Sequence, residues 1–266
     1  MAKAVTRGRT PKQHDHDAGG PRELLSAKRA LREEVWSALR AGRAARFPGA
    51  RGRIPNFVGA EAAAERLRAT TDWARAQTLK CNPDSPQLPV RRAALADGKR
   101  VAMAVPRLAE ALPFYLLDPK QIAGPLREAA SIRGASRAGV AVDVPAVGVV
   151  DMVVTGCVAV DESGARLGKG GGFSDLELAI AAEAGLVGPH TVVVTTVHEL
   201  QVRPRGEIPV TDHDIRLDLI VTPERVIRCA RKGSVALHVR WDELTEDKIA
   251  AIPLLGRLRS RRQRSR

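Results

Sequence analysis

A glycine-rich segment at residues 164–175 has the composition of a phosphate-binding loop. It reads Gly-Ala-Arg-Leu-Gly-Lys-Gly-Gly-Gly-Phe-Ser-Asp and contains Gly168, Gly170, Gly171 and Gly172. Because glycine has no side chain, backbone N–H groups in such a loop can approach an oxyanion closely. Arg166 and Lys169 add positive charge, and Asp175 lies where a following helix would begin. The spacing matches neither the Walker A pattern nor the common dinucleotide-binding fingerprint, so it predicts a phosphate cradle of another type.

Two further charged segments could complete a site for Mg-ATP. They are an early helix-like basic stretch with Lys28, Arg29 and Arg32, and a late acidic stretch with Asp212, Asp214 and Asp218. Cations and backbone N–H groups neutralise a triphosphate, while one or two carboxylates hold its Mg²⁺. Asp175 and Asp214 are the candidate magnesium ligands. The alternative roles are a helix cap for Asp175 and a turn for Asp214.

Hydrophobic patterning places these segments in an α/β fold. The apolar runs at 101–105, 149–160 and 191–197 predict strands, and 217–221 with 225–229 predicts a final strand pair. Helical spacing predicts helices at 23–41, 60–76, 176–185 and 243–251. Strands that alternate with helices indicate a three-layer αβα architecture with a mostly parallel central sheet.

Other segments are less regular. A short extended segment is predicted at 54–58 and a helix at 119–131. The prolines at 81–89 predict an irregular or edge segment, and residues 140–144 are predicted to form a loop or an edge. Arg107 directly follows the strand at 101–105 and Pro106. The carboxyl end of such a strand faces the ligand crevice of an open α/β sheet, so Arg107 is a candidate binding residue.

Composition predicts one globular domain with charged ends. The 266 residues carry a net charge of +13, and basic residues are concentrated in the first 20 residues and after 256. We expect a disordered tail at 1–20, one domain at 21–255 and a basic tail at 256–266. Aromatic residues make up only 3% of the chain, which makes nucleic-acid binding by base stacking unlikely.

The sequence also indicates in which cellular compartment the protein would be found. The three cysteines are far apart in sequence, and neither a secretory signal nor an apolar run of membrane-spanning length is present. We therefore expect a cytoplasmic protein with no membrane partner. The sequence leaves open whether it is a monomer or a homodimer.

The loop and its partners resemble the 5-formyltetrahydrofolate cyclo-ligase (5,10-methenyltetrahydrofolate synthetase) family. That family's signature is roughly G-x-R-L-G-x-G-[GK]-G-[YF]-Y-D, and residues 164–175 match it except at Ser174, which replaces a tyrosine. Its K-x-x-L-R helix start, its strand ending in Pro-Arg and its late acidic segment are similar to residues 28–32, 106–107 and 208–218. The resemblance covers about residues 24–225 and implies a fold related to the ribose-isomerase and CoA-transferase group.

The resemblance implies an ATP-dependent ring closure of 5-formyltetrahydrofolate to 5,10-methenyltetrahydrofolate. It also implies a role for each matched residue. The catalytic residues would be Lys169 and Arg166. The ATP-binding residues would be Lys28, Arg29, Arg32, Arg166, Gly168, Lys169, Gly170, Gly171, Gly172 and Asp175. The residues binding the folate-like substrate would be Glu61, Arg107 and Phe173, and those binding Mg²⁺ would be Asp175 and Asp214.

The chain departs from the family in ways that favour a longer branch. Residues 72–97 look like an insertion relative to the short enzymes, and they contain Asn-Pro-Asp-Ser-Pro-Gln. Together with Ile-Pro-Asn-Phe at 54–57, this pattern looks like the methenyltetrahydrofolate-synthetase-domain proteins. Two alternative functions stay open at this point. One is a related Mg-ATP-dependent enzyme for another amide or formamide, and the other is a basic nucleic-acid-binding protein that retains the fold.

Overall fold

The computed structural model describes residues 21–105, 108, 110–170, 173–211, 214–230 and 238–264. Across these residues the chain alternates helices with short strands. The strands are β1 (Thr78–Cys81), β2 (Arg100–Ala104), β3 (Phe114–Leu117), β4 (Val140–Val142), β5 (Met152–Val154), β6 (Ala159–Asp161), β7 (Arg166–Leu167), β8 (Val192–Thr196), β9 (Val202–Arg203), β10 (Leu219–Val221) and β11 (Val226–Arg228). The helices are α1 (Pro21–Ala41), α2 (Ala60–Arg68), α3 (Thr71–Arg75), α4 (Leu88–Ala96), α5 (Leu126–Ala129), α6 (Ile132–Ala138), α7 (Val144–Val147), α8 (Phe173–Glu183), α9 (Glu246–Ala251) and α10 (Pro253–Arg264).

The larger of two sheets is mixed but parallel at its centre. Its strand order is β11-β10-β8-β5-β1-β2-β3-β4. The strands from β10 to β2 run parallel, whereas β11, β3 and β4 pair antiparallel with their neighbours toward the two edges. The carboxyl ends of β1, β5 and β8 therefore meet at one edge of the sheet, which is where open α/β folds bind ligands.

Helices cover both faces of this sheet. Successive side chains of a strand point to opposite faces, and β5 shows the alternation clearly. Val153 packs in a core with residues of α8 and α10, while Met152 and Val154 pack in a second core with α2 and α4. The prediction of a three-layer αβα fold with a mostly parallel sheet is confirmed.

The smaller sheet, β7-β6-β9, carries the start of the glycine-rich segment. Strands β6 and β7 pair antiparallel, with Val160 opposite Arg166. Gly164 lies in the turn between them at a φ of +86°, and a Cβ added there would be 2.4 Å from the Leu217 carbonyl oxygen. The Leu217 N–H also donates to the Gly164 carbonyl at 2.8 Å. Only glycine fits this turn, which holds the small sheet against the chain leading into β10.

Many elements lie where the sequence predicts them. The helix predicted at 23–41 is α1, the strand at 101–105 is β2 and the strand at 191–197 is β8. The final strand pair is the β10–β11 hairpin, in which Ile220 pairs with Ile227. The predicted edge at 140–144 contains β4, the last strand of the large sheet.

The irregular segment predicted at 81–89 agrees with the structure at 82–87, but the strand before it was not predicted. Cys81 is the last residue of β1, which lies inside the sheet between β5 and β2. Pro89 lies in the first turn of α4, where a helix needs no backbone N–H from that residue. Residues 72–97 contribute β1 and α4 to the core, and their being an insertion relative to the short enzymes stays a prediction. The strand escaped notice because it is short and its buried residues include Lys80.

Three other segments also differ from the predictions. The run at 149–160 is two strands, β5 and β6, which belong to different sheets. The helix predicted at 60–76 is interrupted where the Thr70 hydroxyl accepts a bond from the Trp73 N–H at 3.1 Å and caps α3. Of the helix predicted at 119–131, only α5 forms, because Gly124 and Pro125 interrupt the helical pattern before it.

The chain after residue 256 is helical as far as Arg264, although the sequence predicts a solvated tail. Helix α10 buries Leu254, Leu255 and Leu258 in the core beside α8. The many arginines in this segment obscure its apolar residues in the sequence. In the structure the leucines are buried, and the arginines occupy the more exposed positions of the helix. No helix in the described part of the chain is long and apolar enough to cross a membrane.

A buried ion pair joins β1 to α8. Alternation along β1 places Lys80 on the face opposite Leu79, toward α8. Lys80 Nζ pairs with the Glu177 carboxylate and donates to Asn82 Oδ1 at 3.1 Å. The Lys80 side chain is 1% exposed and that of Glu177 8%. Because a lone buried charge is costly, this pair fixes the first turns of α8 against the central strand.

Lys80→Met should lower the free energy of unfolding by about 3–5 kcal/mol, because it leaves the Glu177 carboxylate buried without its cation. The double variant Lys80→Met/Glu177→Leu should recover most of this loss, since both charges are then gone. Arg51→Met removes a cation from an exposed pair with Glu33 and should change stability by less than about 0.5 kcal/mol. Urea unfolding measures all three, and equal losses in the single and double variants would contradict the pairing.

Candidate functional site

Helix α1 packs on the small sheet and brings basic side chains to the glycine-rich segment. Its residues Leu31, Val35 and Leu39 recur at helical spacing and are buried. They share a core with Val158 and Leu167 of the small sheet region. The register of this apolar stripe decides which of the basic residues on α1 reach the loop.

Arg32 makes the closest contact between α1 and the loop. Its Nε donates to the Gly168 carbonyl oxygen at 2.7 Å. Gly170 has a φ of +107°, and a Cβ added there would lie 3.5 Å from Arg32 Cζ. Burial lowers the pKa of the Arg32 guanidinium from its ordinary value, and the group remains charged at neutral pH. Glycine at 170 thus lets the loop adopt a left-handed conformation directly beside a cation.

A cleft of about 620 Å³ opens between α1 and the loop, and we call it the α1 cleft. Its lining contains four cations and one carboxylate, which are Arg22, Arg29, Arg32, Lys169 and Glu33. Leu25, Ser26 and Trp36 complete the lining. A nucleoside triphosphate presents several negative oxygens to its site, so this excess of positive charge fits a polyphosphate group.

The structure brings Lys28 and Asp214 together across 186 residues of sequence. Lys28 Nζ lies 2.8 Å from Asp214 Oδ2, which also accepts the Thr211 N–H at 2.8 Å. Both side chains are largely shielded from solvent. Asp214 as placed fits a lysine partner better than Mg²⁺. The residues that the structure describes contain no group of three His, Cys, Asp or Glu side chains that could hold a metal ion.

A second group of polar side chains follows β1 at the carboxyl edge of the large sheet. Asp84 Oδ2 and Gln87 Oε1 lie 3.1 and 3.2 Å from the position that a Cβ on Gly156 would occupy. Burial raises the pKa of the Asp84 carboxyl, and the positive charge of Lys169 partly offsets this. Gln87 is 0% exposed, and neither its amide nitrogen nor its amide oxygen has a partner among the described residues. Such an amide can donate to and accept from a bound polar group or a water molecule, and we call the surroundings of Asp84, Gln87 and Gly156 the strand-end recess.

The buried side chain of Arg91 holds this strand-end segment in place. It donates from Nη1 to the Asn82 carbonyl at 2.6 Å and to the Asp84 carbonyl at 3.2 Å. Its Nε donates to the Ala130 carbonyl at 2.8 Å. Burial lowers the pKa of Arg91 to about 10, so it remains charged at neutral pH. A single guanidinium therefore anchors the backbone of residues 82–84 to the end of α5.

The site residues predicted from sequence fall into groups. Arg29, Arg32 and Lys169 line the α1 cleft, and Gly168 and Gly170 contact Arg32 beside it. Lys28 of the same helix forms an ion pair with Asp214, which lies in the irregular chain before β10.

Two predicted residues lie apart from the cleft lining. Arg166 is buried in β7 and is 4% exposed. Glu61 is exposed in the first turn of α2 and lines a groove of about 370 Å³ against α4. That groove contains no residue of α1 or of the glycine-rich loop in its described lining. The structure thus gives Glu61 no contact with the α1 cleft.

Several predicted residues cannot be placed in the site. Arg107, Gly171 and Gly172 lie outside the described residues. Phe173 and Asp175 belong to the first turn of α8, where the structure describes the backbone alone. The roles assigned to these five residues stay predictions.

Sequence reasoning missed Asp84 and Gln87 because it missed the strand before them. Glu61, which follows the extended segment predicted at 54–58, is the acidic residue that the resemblance assigns to the substrate. The strand that reaches the carboxyl edge is β1, and the first acid after it is Asp84. One signal was available in the sequence. Asp84 and Gln87 lie among closely spaced prolines directly before the start of α4.

Comparison with known proteins gives matches over most of the chain. It is 36% identical over 250 residues to the human methenyltetrahydrofolate synthase domain-containing protein, covering 92% of this chain and 64% of the human one. The chain thus spans less than two thirds of that relative's length. It is 38% identical over 85 residues to the 5-formyltetrahydrofolate cyclo-ligase of Mycolicibacterium smegmatis, covering 32% of this chain and 40% of that enzyme.

Among solved structures, the chain aligns with the NMR structure of Aquifex aeolicus 5,10-methenyltetrahydrofolate synthetase. It aligns with a TM-score of 0.49 at 18% identity, over 82% of this chain and 98% of that one. The sequence model of one family matches residues 23–223, which include α1, the glycine-rich loop and Asp214. The chain belongs to the 5-formyltetrahydrofolate cyclo-ligase family.

Proposed function

We propose that the protein is an ATP-dependent cyclo-ligase that converts 5-formyltetrahydrofolate to 5,10-methenyltetrahydrofolate. The observation that carries the proposal is the α1 cleft, where Arg29 and Arg32 of α1 lie beside Lys169 of the glycine-rich loop. Membership of the cyclo-ligase family supports the choice of substrate.

The reaction needs activation because an amide oxygen is a poor leaving group. In the proposed scheme the formyl oxygen attacks the γ-phosphorus of ATP, a P–O bond forms and ADP leaves. The neighbouring pterin side-chain nitrogen then attacks the activated carbon and loses its proton, and inorganic phosphate leaves with the former formyl oxygen. The products are 5,10-methenyltetrahydrofolate, ADP and phosphate. The protein contributes chiefly by positioning the reactants and neutralising charge on the transferring group.

The residues of the α1 cleft suit the phosphate end of this reaction. Arg32 and Lys169 both line the cleft, one from helix α1 and one from the loop. Arg32 is fixed by its bond to the Gly168 carbonyl, so its orientation is set before a ligand binds. A preorganised guanidinium stabilises developing negative charge without reorganising during the reaction.

Asp214 is not proposed as a magnesium ligand in the arrangement that the structure shows, because Lys28 already neutralises it. Mg²⁺ commonly keeps several waters and binds through substrate phosphates with few protein ligands. The proposed enzyme would accordingly receive magnesium with its nucleotide. Asp175 remains the candidate protein ligand from the sequence.

The strand-end recess suits the substrate end of the reaction. Asp84 lies close enough to Lys169 for the lysine's charge to lower the pKa of its carboxyl, which links this recess to the α1 cleft. The unpartnered Gln87 amide offers one donor group and one acceptor to a ligand. We propose that Asp84 and Gln87, instead of Glu61, bind the folate-like substrate.

A second candidate function shares the mechanism but changes the substrate to another amide or formamide. It is favoured by the coverage of the relatives. The cyclo-ligase of Mycolicibacterium smegmatis matches only 32% of this chain, whereas the human domain-containing protein matches 92%. The phosphate end of the site is common to both candidates, and the recess around Gln87 would distinguish them.

Arg32→Met should weaken ATP binding by about tenfold or more, because it removes a charged donor fixed beside the loop. Isothermal titration with Mg-ATP measures the dissociation constant. Arg40→Met is the matched control, since Arg40 is exposed on the same helix and outside the described cleft lining. Equal affinities in the two variants would refute the placement of the nucleotide.

Mixing the protein with Mg-ATP and 5-formyltetrahydrofolate should produce the absorbance band of the methenyl product. Lys169→Ala should remove this turnover by at least about a hundredfold, since it deletes a cation that faces the transferring group. Failure of the wild-type protein to form the band, with ATP binding intact, would exclude this substrate and favour the second candidate.

Asp84→Asn should separate substrate binding from folding. Burial raises the pKa of Asp84, so stability falls as the pH rises from the ordinary pKa of an aspartate to the raised value, and the full cost persists above it. The asparagine removes this cost, and the variant should unfold at neutral pH no more readily than the wild type. Its turnover should nevertheless fall at least about tenfold while ATP affinity is kept. Glu61→Gln is the control and should keep full turnover, and a loss in Glu61→Gln alone would reverse the assignment.

A further inference from the structure

A second basic cavity lies between α4 and the α5–α6 hairpin, and we call it the arginine groove. Its volume is about 600 Å³, close to the 620 Å³ of the α1 cleft. Its charged lining residues are four arginines and one carboxylate, namely Arg92, Arg127, Arg133, Arg137 and Glu128. The described linings of the two cavities share no residue. The groove therefore repeats the charge balance of the α1 cleft at a separate place.

Most guanidinium groups of the groove lack a partner among the described residues. Arg127, Arg133 and Arg137 make no ion pair or hydrogen bond through their guanidinium groups in that part of the chain. Several exposed arginines elsewhere do pair with carboxylates, as in Arg51–Glu33, Arg228–Asp72 and Arg259–Glu246. Three guanidinium groups without such a partner thus line one cavity, beside the single carboxylate of Glu128.

The walls of the groove are held rigidly. A Cβ on Gly134 would lie 1.8 Å from the Glu128 carbonyl oxygen, so α5 and α6 can pack this closely only with glycine at 134. The Gly134 N–H donates to the Ser131 hydroxyl at 2.9 Å, which caps α6. Arg91 holds the Ala130 carbonyl from beneath at 2.8 Å. The backbone that positions the arginines is consequently formed before any ligand arrives.

The chemistry of the lining favours phosphate over other anions. Arg133 and Arg137 are four residues apart on α6, so both side chains can reach one group. A phosphomonoester carries nearly two negative charges and three acceptor oxygens, which suits several guanidinium groups better than a carboxylate does. The remaining lining includes Ile122 and Pro125 but no aromatic side chain on which a base could stack. A small, highly charged ligand fits this cavity better than a nucleic-acid strand.

We propose that the arginine groove is a second anion site, which binds a small ligand carrying two or more phosphate groups. The site is independent of the α1 cleft and of the cyclo-ligase reaction. Arg133 and Arg137 provide the principal contacts, and Arg92 and Arg127 close the groove from α4 and α5.

Isothermal titration of the full chain with inorganic tripolyphosphate tests the proposal. The wild type should bind at both cavities, Arg32→Met should bind more weakly at the cleft alone, and Arg133→Met/Arg137→Met more weakly at the groove alone. The groove affinity should fall by about tenfold or more in the double variant, because two charged donors are lost. Its methenyl-forming turnover, or its ATP affinity if no turnover is found, should equal that of the wild type.

Arg40→Met/Arg75→Met is the matched control, because it removes the same charge from exposed positions outside both cavities. It should bind tripolyphosphate at both sites as the wild type does. Thermal unfolding would verify that each variant is folded. Unchanged tripolyphosphate binding in a folded Arg133→Met/Arg137→Met variant would overturn the proposal. So would tighter binding of an acidic octapeptide, or of an oligonucleotide without terminal phosphates, in the same groove.

Discussion

The contact between Arg32 and the glycine-rich loop is the constraint on which the proposed nucleotide site depends. It requires α1 to lie on the small sheet with Leu31, Val35 and Leu39 buried, because only that register turns Arg32 toward the Gly168 carbonyl. It also requires glycine at 170, since the loop bends through a left-handed conformation beside the guanidinium. The buried apolar side chains of α1 and the absence of a side chain at Gly170 together set the geometry of the α1 cleft.

The two ends of the candidate site are joined through the central strand. Lys80 of β1 pairs with Glu177 of α8, and β1 leads directly to Asn82 and Asp84. Since α8 follows the glycine-rich loop, this buried ion pair relates the phosphate end to the substrate end. A pair of this kind adds little net stability but penalises any arrangement that separates the charges. It can therefore fix the relative position of the loop and the recess.

Local patterns in the sequence were sufficient for the elements with strong signals. The long amphipathic helix α1, the apolar strands β2 and β8, and the glycine-rich loop were all predicted near their observed places. The patterns failed where a short element carries a charge whose partner is distant in sequence. Strand β1 reads Thr-Leu-Lys-Cys, and its lysine is buried only because Glu177 meets it from another layer. For the same reason Asp84, which lies shortly after this strand, was not predicted as a site residue.

The sequence by itself determined the family, the α/β architecture and the basic, glycine-rich character of the phosphate end, because these depend on local composition and spacing. Only the tertiary structure decided which charges meet. Lys28 neutralises Asp214, an aspartate that the sequence suggested for magnesium, and Asp84 and Gln87 complete the carboxyl edge of the sheet. Such pairings join residues separated by up to 186 positions, so they depend on how the layers pack and leave no local pattern in the chain.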